Sequence, residues 1–494
     1  MVRPRTRAIR RAAAAAFTLA AAAATLLVAL GPGGHAAKPQ ATLALAAPAG
    51  PAVTIGRHPV GLSVEYPLLA HDLGDGSCPP PELVRAIKGL GSPVLRIGGD
   101  SQDQVAPAGT PVRAGLTDLP ADFWKQVACL ERETRIPIVV GLNLAWGTPS
   151  WAVEMAAGAR SAIPRRRLRF ELGNEPDIYG DPVKWWDGSA LVATRMPLPT
   201  YLARAKALEA VLGPRAGVEG PDFASGRWTA SVPALARALR LDTIDAHYYP
   251  LEGCGGQTAA SGAALLTRQI QGKLDERVRL ARDARAAGLR AVISEANSVS
   301  CGGAGGVSDQ PVSAVWALRM IVTALRDGFA AVRFHASGSA YDPFIVTGGE
   351  VALRPLYTGL AGAARLLAAG AKLQAIPNAR ALDGVEITGP GARRAFVLSN
   401  YTTRPVWVSL ATRTRARILE LTPGTPTTRN ATGIAGAGAT GIAGANATGT
   451  AGAQDATAAT GGGARNATVA AVRGRARVQL PANSVVAITL APAG

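Results

Sequence analysis

Between residues 58 and 369, short apolar runs alternate with longer segments in which apolar residues return every three or four positions. Eight of the short runs have the length of strands: 60–65, 93–98, 137–143, 168–173, 217–220, 243–249, 291–295 and 331–335. A strand with one wet face alternates apolar and polar residues, whereas a run that is apolar throughout belongs to a parallel sheet covered on both faces. Segments 82–90, 201–212, 265–287 and 312–327 have helical periodicity. Eight strand–helix units in this span predict a (β/α)8 TIM barrel rather than an open doubly wound sheet.

After residue 367 the texture changes. Short alternating segments at 385–387, 394–398, 406–410, 415–420 and 485–490 predict the antiparallel strands of a C-terminal β-sandwich. The run 41–55 predicts one more strand for that sandwich, which then draws on both ends of the chain. The expected layout is an N-terminal sandwich strand within 38–57, a barrel over 58–369 and a β-sandwich over 370–494. Inside the last lies a tract, 426–465, of Ala, Gly, Thr and Asn with no aromatic residue and almost no charge. It cannot build a core, and it predicts a flexible insertion between two sandwich strands. The Asn-Ala-Thr sequons at Asn430, Asn446 and Asn466 are read as products of this repetitive composition rather than as glycan sites.

Composition adds the setting. At 494 residues, 48% of them hydrophobic and 17% charged, the chain can bury a large core in two domains. Arg3, Arg5, Arg7, Arg10 and Arg11 precede an apolar stretch at 12–30 and then small residues, the order of a secretory signal peptide over 1–37. An uncleaved membrane anchor is the competing reading. Both place the rest of the chain outside the cytoplasm, and only the second adds a membrane. Four cysteines without CxxC spacing predict no metal site, and pairing in an oxidising compartment leaves three connectivities open. The net charge of +18 is compatible with an acidic sugar. Its arginines are scattered, however, and no nucleic-acid signature accompanies them. The run Arg165–Arg167 reads as a solvated face.

Two segments carry candidate chemistry. Arg169-Phe-Glu-Leu-Gly-Asn-Glu-Pro-Asp177 begins as the fourth predicted strand, and Ala291-Val-Ile-Ser-Glu-Ala-Asn-Ser298 forms the seventh. In a barrel both end at the C-terminal face, where such enzymes build their sites, so Glu175 and Glu295 converge from different strands. Such a pair is what glycosidic cleavage requires, one carboxyl to protonate the leaving oxygen and one carboxylate to attack or to activate water.

Here the chain resembles the retaining glycosidases of clan A, which carry an acid/base in an Asn-Glu pair after strand four and a nucleophile at the end of strand seven. Within the clan it is similar to glycoside hydrolase family 79, the β-glucuronidase and heparanase family. The matching stretches are Arg96-Ile-Gly-Gly-Asp-Ser-Gln-Asp103, Glu171 to Asp177, His247-Tyr-Tyr-Pro250 and Ser294-Glu-Ala-Asn-Ser-Val-Ser-Cys-Gly-Gly303. The resemblance implies an exo-acting β-glucuronidase, and the sequence shows no ligand cluster that calls for a metal or cofactor. Another clan A activity, such as an arabinofuranosidase, and a non-catalytic polysaccharide-binding surface protein are the competing functions. Glu175 would be the acid/base, Glu295 the nucleophile, and Asn174 the partner of the sugar 2-hydroxyl. Tyr248 or Tyr249 would donate to Glu295, and His247 and Asp100 would join the sugar site. Trp146 and Trp151 would form a stacking wall.

Family members hold a glucuronide carboxylate with a tyrosine and backbone amides in the loop after the nucleophile. Ser300 stands at the tyrosine's place, which leaves Gly302, Gly303 and Tyr341 as the carboxylate-binding candidates. Cys254 and Cys301, in the loops after strands six and seven, are expected to form a disulfide at the rim of the site. Cys78 and Cys129 remain as a second pair.

Overall fold

The computed structural model describes residues 42–110, 116–180, 184–254, 260–377, 382–390, 393–412, 414–424, 464–469 and 475–490. The expected signal segment 1–37, nearly all of the tract 426–465, and Asn430 and Asn446 lie outside the described residues. No helix among the described residues is long and apolar enough to cross a membrane.

Eight parallel strands form one sheet: Val60–Val64, Val94–Ile97, Ile138–Leu142, Leu168–Leu172, Gly217–Glu219, Thr243–Tyr248, Arg290–Ala296 and Val332–Ala336. Numbered in chain order, they are hydrogen-bonded as 5-4-3-2-1-8-7-6. The gap between strands five and six is closed by a single bridge, Phe223 to Ala246, and by the Asp242 N–H donating to Val218 O at 2.7 Å. Each of the eight predicted runs is found, with no end shifted by more than one residue.

Helices cover the outside. Pro311–Arg326 is buried from Val312 to Leu325 because it is enclosed on both sides, by the barrel and by the sheet domain. Its Arg319, 2% exposed, donates to Asn400 O and Ser484 O at 2.8 Å each and ties the sheets to the barrel. The expected helix at 265–287 is three pieces: Gly262–Leu265, Arg268–Gly272 and Asp275–Ala286. Thr267 ends the first by capping the second, its side chain accepting from the Ile270 N–H, and Gly272 ends the second.

The sheet domain is antiparallel. A seven-stranded sheet runs, in spatial order, Ala49–Thr54, Lys372–Ile376, Leu382–Thr388, Arg394–Asn400, Val485–Leu490, Ala416–Leu421 and Ala464–Val469. The strand Ala49–Thr54, ahead of the barrel, is therefore its edge, and the run 41–55 contributes to the sheet domain as expected. Val406–Ala411 and Arg475–Leu480 pair in a second sheet, and Phe396, Leu398, Val408, Val478 and Ile488 fill the space between the two. Leu421 pairs with Ala464, so the chain on either side of residues 425–463 forms an antiparallel pair.

Candidate active site

Four of the barrel strands end in the residues that matter. Strand four stops at Leu172, and Gly173 takes a positive φ of 87° where a Cβ would meet Leu144 and the Tyr179 hydroxyl. Glu175 follows in the left-handed region at φ 52°, an uncommon place for a residue with a side chain. The turn delivers its half-buried carboxyl over the barrel mouth. Strand seven carries Glu295 as its penultimate residue, 6% exposed.

The two carboxylates meet around His247, at the end of strand six. His247 Nδ1 lies 2.7 Å from Glu175 Oε1 and 3.7 Å from Glu295 Oε1, and one oxygen of each carboxylate lies within 4.8 Å of the other. Tyr249 donates its hydroxyl to Glu295 Oε1 at 2.7 Å. The intervening Tyr248 points the other way, as period-two geometry requires, and donates to Ile270 O at 3.0 Å. Of the two tyrosines expected to serve Glu295, Tyr249 makes the contact.

Beneath the pair sits Arg96, in the middle of strand two and without solvent exposure. Its Nε and Nη2 donate to both oxygens of Glu171 at 2.6 Å, Nη1 to Glu295 Oε2 and Ser63 Oγ at 2.7 Å, and Nη2 also to Asn174 Oδ1 at 2.8 Å. One guanidinium thus fixes three strand ends relative to one another. A planar five-donor fork can do this and a lysine cannot.

A second bracket comes from the loop after strand two. Gly99, at φ 87°, passes so close to the Glu65 carboxylate that a Cβ there would collide with it. Glu65 accepts from the Asp100 and Ser101 N–H groups at 3.0 and 2.8 Å, and lies 3.1 Å from His335 Nε2. Asp103, fully enclosed, accepts from the N–H groups of Leu144, Ala145 and Asn174 and from the Tyr179 hydroxyl. Asn174 donates to Asp100 Oδ1 at 3.3 Å, which places these two expected sugar contacts side by side.

The charges sort the carboxylates. Burial alone would raise Glu295, but His247, His335, Arg96 and the Tyr249 hydrogen bond together hold it well below the usual carboxylate range. His247 moves the opposite way: burial would lower it, and Glu295, Asp222 and Glu175 raise it well above the ordinary imidazole value. Asp100 stands at the open mouth. Desolvation by the surrounding protein and the charges of Glu295, Glu175 and Glu65 push it up to about 7.

Among the described residues, two groups have the spacing of metal ligands, Glu175–His247–Glu295 and Glu171–Asp222–Asp245. In the first, His247 already meets a carboxylate at both ring nitrogens, Glu175 at Nδ1 (2.7 Å) and Asp222 at Nε2 (3.4 Å). In the second, Arg96 occupies both Glu171 oxygens and Ser294 donates to Asp222.

The rim is built by the loops after strands six, seven and eight. Cys254 and Cys301 are joined with Cα atoms 5.3 Å apart, as are Cys78 and Cys129. Ser300 Oγ accepts from the Gly253 N–H, and the Gly303 N–H donates to Ser300 O at 3.3 Å. Of the two amides expected to hold a sugar carboxylate, that of Gly303 is therefore spent inside its own turn, while Gly302 lends its carbonyl to Ala340. Tyr341 stacks near His335 and Tyr249, at ring distances of 5.7 and 6.4 Å, and its hydroxyl accepts from Ser337. Trp146 is half-buried against the barrel core, and its indole N–H donates to Lys184 O. Trp151, also half-buried, opens a helix capped by Thr148.

Sequence reasoning gave no role to Arg96, Glu171, Glu65, Asp103 or His335. Arg96 and Glu171 were detectable, because a charged residue in mid-strand among apolar neighbours is buried and must be paired.

No family model matches the chain, and no curated protein matches it in sequence. The barrel with its antiparallel sheet domain is the fold of solved glycoside hydrolases of several families. A 4-O-α-L-rhamnosyl-β-D-glucuronidase from Fusarium oxysporum 12S, solved with Rha-GlcA, is 17% identical and aligns over 91% of this chain and 99% of its own, with a TM-score of 0.65. A family 51 arabinofuranosidase from Xanthomonas axonopodis pv. citri is 14% identical over 91% and 99% of the chains (TM-score 0.61). A family 30 subfamily 8 xylanase from Clostridium acetobutylicum is 13% identical over 89% and 98% (TM-score 0.53).

Proposed function

We propose that the protein is an exported, retaining glycoside hydrolase of the clan A type, with Glu295 as nucleophile and Glu175 as acid/base. The observation that carries this is the closeness of the two carboxylates, which have oxygens within 4.8 Å of each other. Retaining enzymes hold their carboxyl groups about 5–5.5 Å apart, and inverting enzymes leave roughly 6.5–9.5 Å for a water.

In the first step a Glu295 oxygen forms a bond to the anomeric carbon as the glycosidic C–O bond breaks, and Glu175 gives its proton to the leaving oxygen. In the second, Glu175 removes a proton from water, the water oxygen bonds to the same carbon, and Glu295 leaves as a carboxylate. Three neighbouring cations and the Tyr249 hydroxyl suit Glu295 to attack as an anion and to depart as one. His247 keeps a proton within hydrogen-bond reach of Glu175. Two disulfides suit an oxidising compartment and thus export.

For substrate, we favour a β-D-glucuronide taken from the end of a glycan or glycoside. The family 79-like motifs at Asn174–Glu175, His247–Pro250 and Ser294–Gly303 support this, with the buried Tyr341, beside His335 and Tyr249, as the candidate for the sugar carboxylate. The engaged Gly303 amide and the serine at position 300 favour a second reading, an α-L-arabinofuranosidase. The test is hydrolysis of aryl β-D-glucuronide, β-D-xyloside, β-D-galactoside and α-L-arabinofuranoside by wild type, Glu175→Gln and Glu295→Gln. Preference for the glucuronide, abolished in Glu295→Gln, is the expected result. Preference for the arabinofuranoside supports the second reading, and full activity in Glu295→Gln refutes both.

A further inference from the structure

At the end of the barrel opposite the carboxylate pair lies a cavity of about 540 Å³. The first residues of strands two, three and six, Val94, Ile138 and Thr243, line it, together with the linker from the sandwich edge strand into the barrel. Seven arginines face it, against one lining carboxylate among the described residues, Glu219. Arg57, Arg166, Arg285 and Arg290 form no ion pair with any described residue. Arg167 pairs with Glu131, Arg169 stands 3.4 Å from both Glu219 and Asp242, and Arg333 donates to Glu219 at 2.6 Å.

Arg333 is the informative one. It is 2% exposed, and its Nε and Nη1 have no hydrogen-bond partner among the described residues. The Thr243 hydroxyl and Arg167 Nε, also in the lining, share this state. A buried donor left unsatisfied costs about 1–3 kcal/mol, more when charged, so a composition rich in arginine does not by itself account for three such groups around one cavity. A guanidinium on an open surface would be hydrated.

We infer that this cavity binds a compact, multiply charged oxyanion of the phosphate class, such as an oligophosphate. Guanidinium forks match phosphate oxygens two at a time, and a low-dielectric floor strengthens each contact. A single carboxylate would leave most of the unpaired cations unneutralised, whereas a chain of three phosphates meets them all. The volume lies within the range of small-molecule sites. Six of the arginines stand on barrel loops or strand starts remote from Glu175 and Glu295, so the site is independent of the hydrolytic reading.

The test is isothermal titration of the full chain with tripolyphosphate, and separately with orthophosphate, at fixed ionic strength. Wild type is compared with Arg166→Gln/Arg290→Gln, two exposed and unpaired lining residues, and with Arg415→Gln/Arg417→Gln, an equal charge change on the sheet domain. Binding of one tripolyphosphate per chain is expected, weakened at least about tenfold in the cavity pair, about 1.4 kcal/mol, and unchanged in the sheet pair. Orthophosphate should bind at least about tenfold more weakly. Absence of saturable binding, or equal weakening by both pairs while melting temperatures stay at the wild-type value, overturns the proposal.

Discussion

Arg96 donates to Glu295 Oε2 at 2.7 Å from a position with no solvent exposure, and the same guanidinium grips Glu171 with its other edge. A buried ion cluster of this kind is not needed for stability, since well-packed apolar residues serve a barrel interior equally well. Under the proposed mechanism, its place beneath the paired carboxylates serves to hold Glu295 ionised and aimed. Replacing Arg96 with methionine or lysine removes the fork and leaves carboxylates buried without it. The expected loss is about 3–5 kcal/mol of unfolding free energy, read from urea melts, with activity falling more steeply than the folded fraction.

Glu175→Gln keeps the shape of the side chain and removes its proton transfer. Hydrolysis of an aryl glycoside with a poor leaving group should slow by about 10²–10⁴-fold, while a dinitrophenyl glycoside, which leaves without protonation, should lose much less. Added azide should restore turnover with the dinitrophenyl substrate, because it attacks the glycosyl-enzyme without needing a base. Equal losses on both substrates would remove Glu175 from the acid role.

The pH dependence of stability has a definite sign. His247 titrates well above its ordinary value of 6.5 in the folded chain because Glu295, Asp222 and Glu175 surround it. Its contribution is therefore complete below about pH 6.5 and is lost as pH rises through the folded value. Glu295 is depressed, so its contribution is present above its unfolded value of 4.5 and is lost as pH falls toward the folded one. Urea melts between pH 4 and 9 should show wild-type stability declining on the alkaline side, and His247→Gln should flatten that decline.

The Cys254–Cys301 bridge spans 47 residues of sequence and joins two rim loops. By loop-closure entropy its removal costs about 4 kcal/mol. Cys254→Ser/Cys301→Ser should melt at lower temperature than wild type, and the rim loops should become susceptible to proteolysis. The Cys78–Cys129 bridge closes a loop of similar length outside the loops after strands six and seven, and Cys78→Ser/Cys129→Ser should lose stability with less effect on KM.

Much of the fold was legible because the eight barrel strands announce themselves. Each is three to seven residues of mostly apolar sequence ended by glycine, proline or a polar turn, the pattern of a doubly covered parallel strand. The sandwich was harder. Strands such as Lys372–Ile376 and Arg475–Leu480 carry arginine, lysine or glutamine on a wet face, and Ala464–Val469 begins within the low-complexity tract, where composition conceals it. Within the site, Glu175, Glu295, His247 and Tyr249 are brought together. Which of two adjacent tyrosines faces Glu295 was not legible: Tyr249 donates to Glu295 and Tyr248 to Ile270 O, because neighbouring residues in a strand point in opposite directions. The supporting shell of Glu65, Asp103, Glu171 and His335 depends on contacts between distant loops, which no local pattern records.

The central claim, retention through Glu295, is tested most directly by proton NMR of the product as it first forms from a cleaved aryl glycoside, before mutarotation. With oxygens of Glu175 and Glu295 within 4.8 Å of each other, the expected product is an anomer of the same configuration as the substrate. A first-formed anomer of inverted configuration would contradict it.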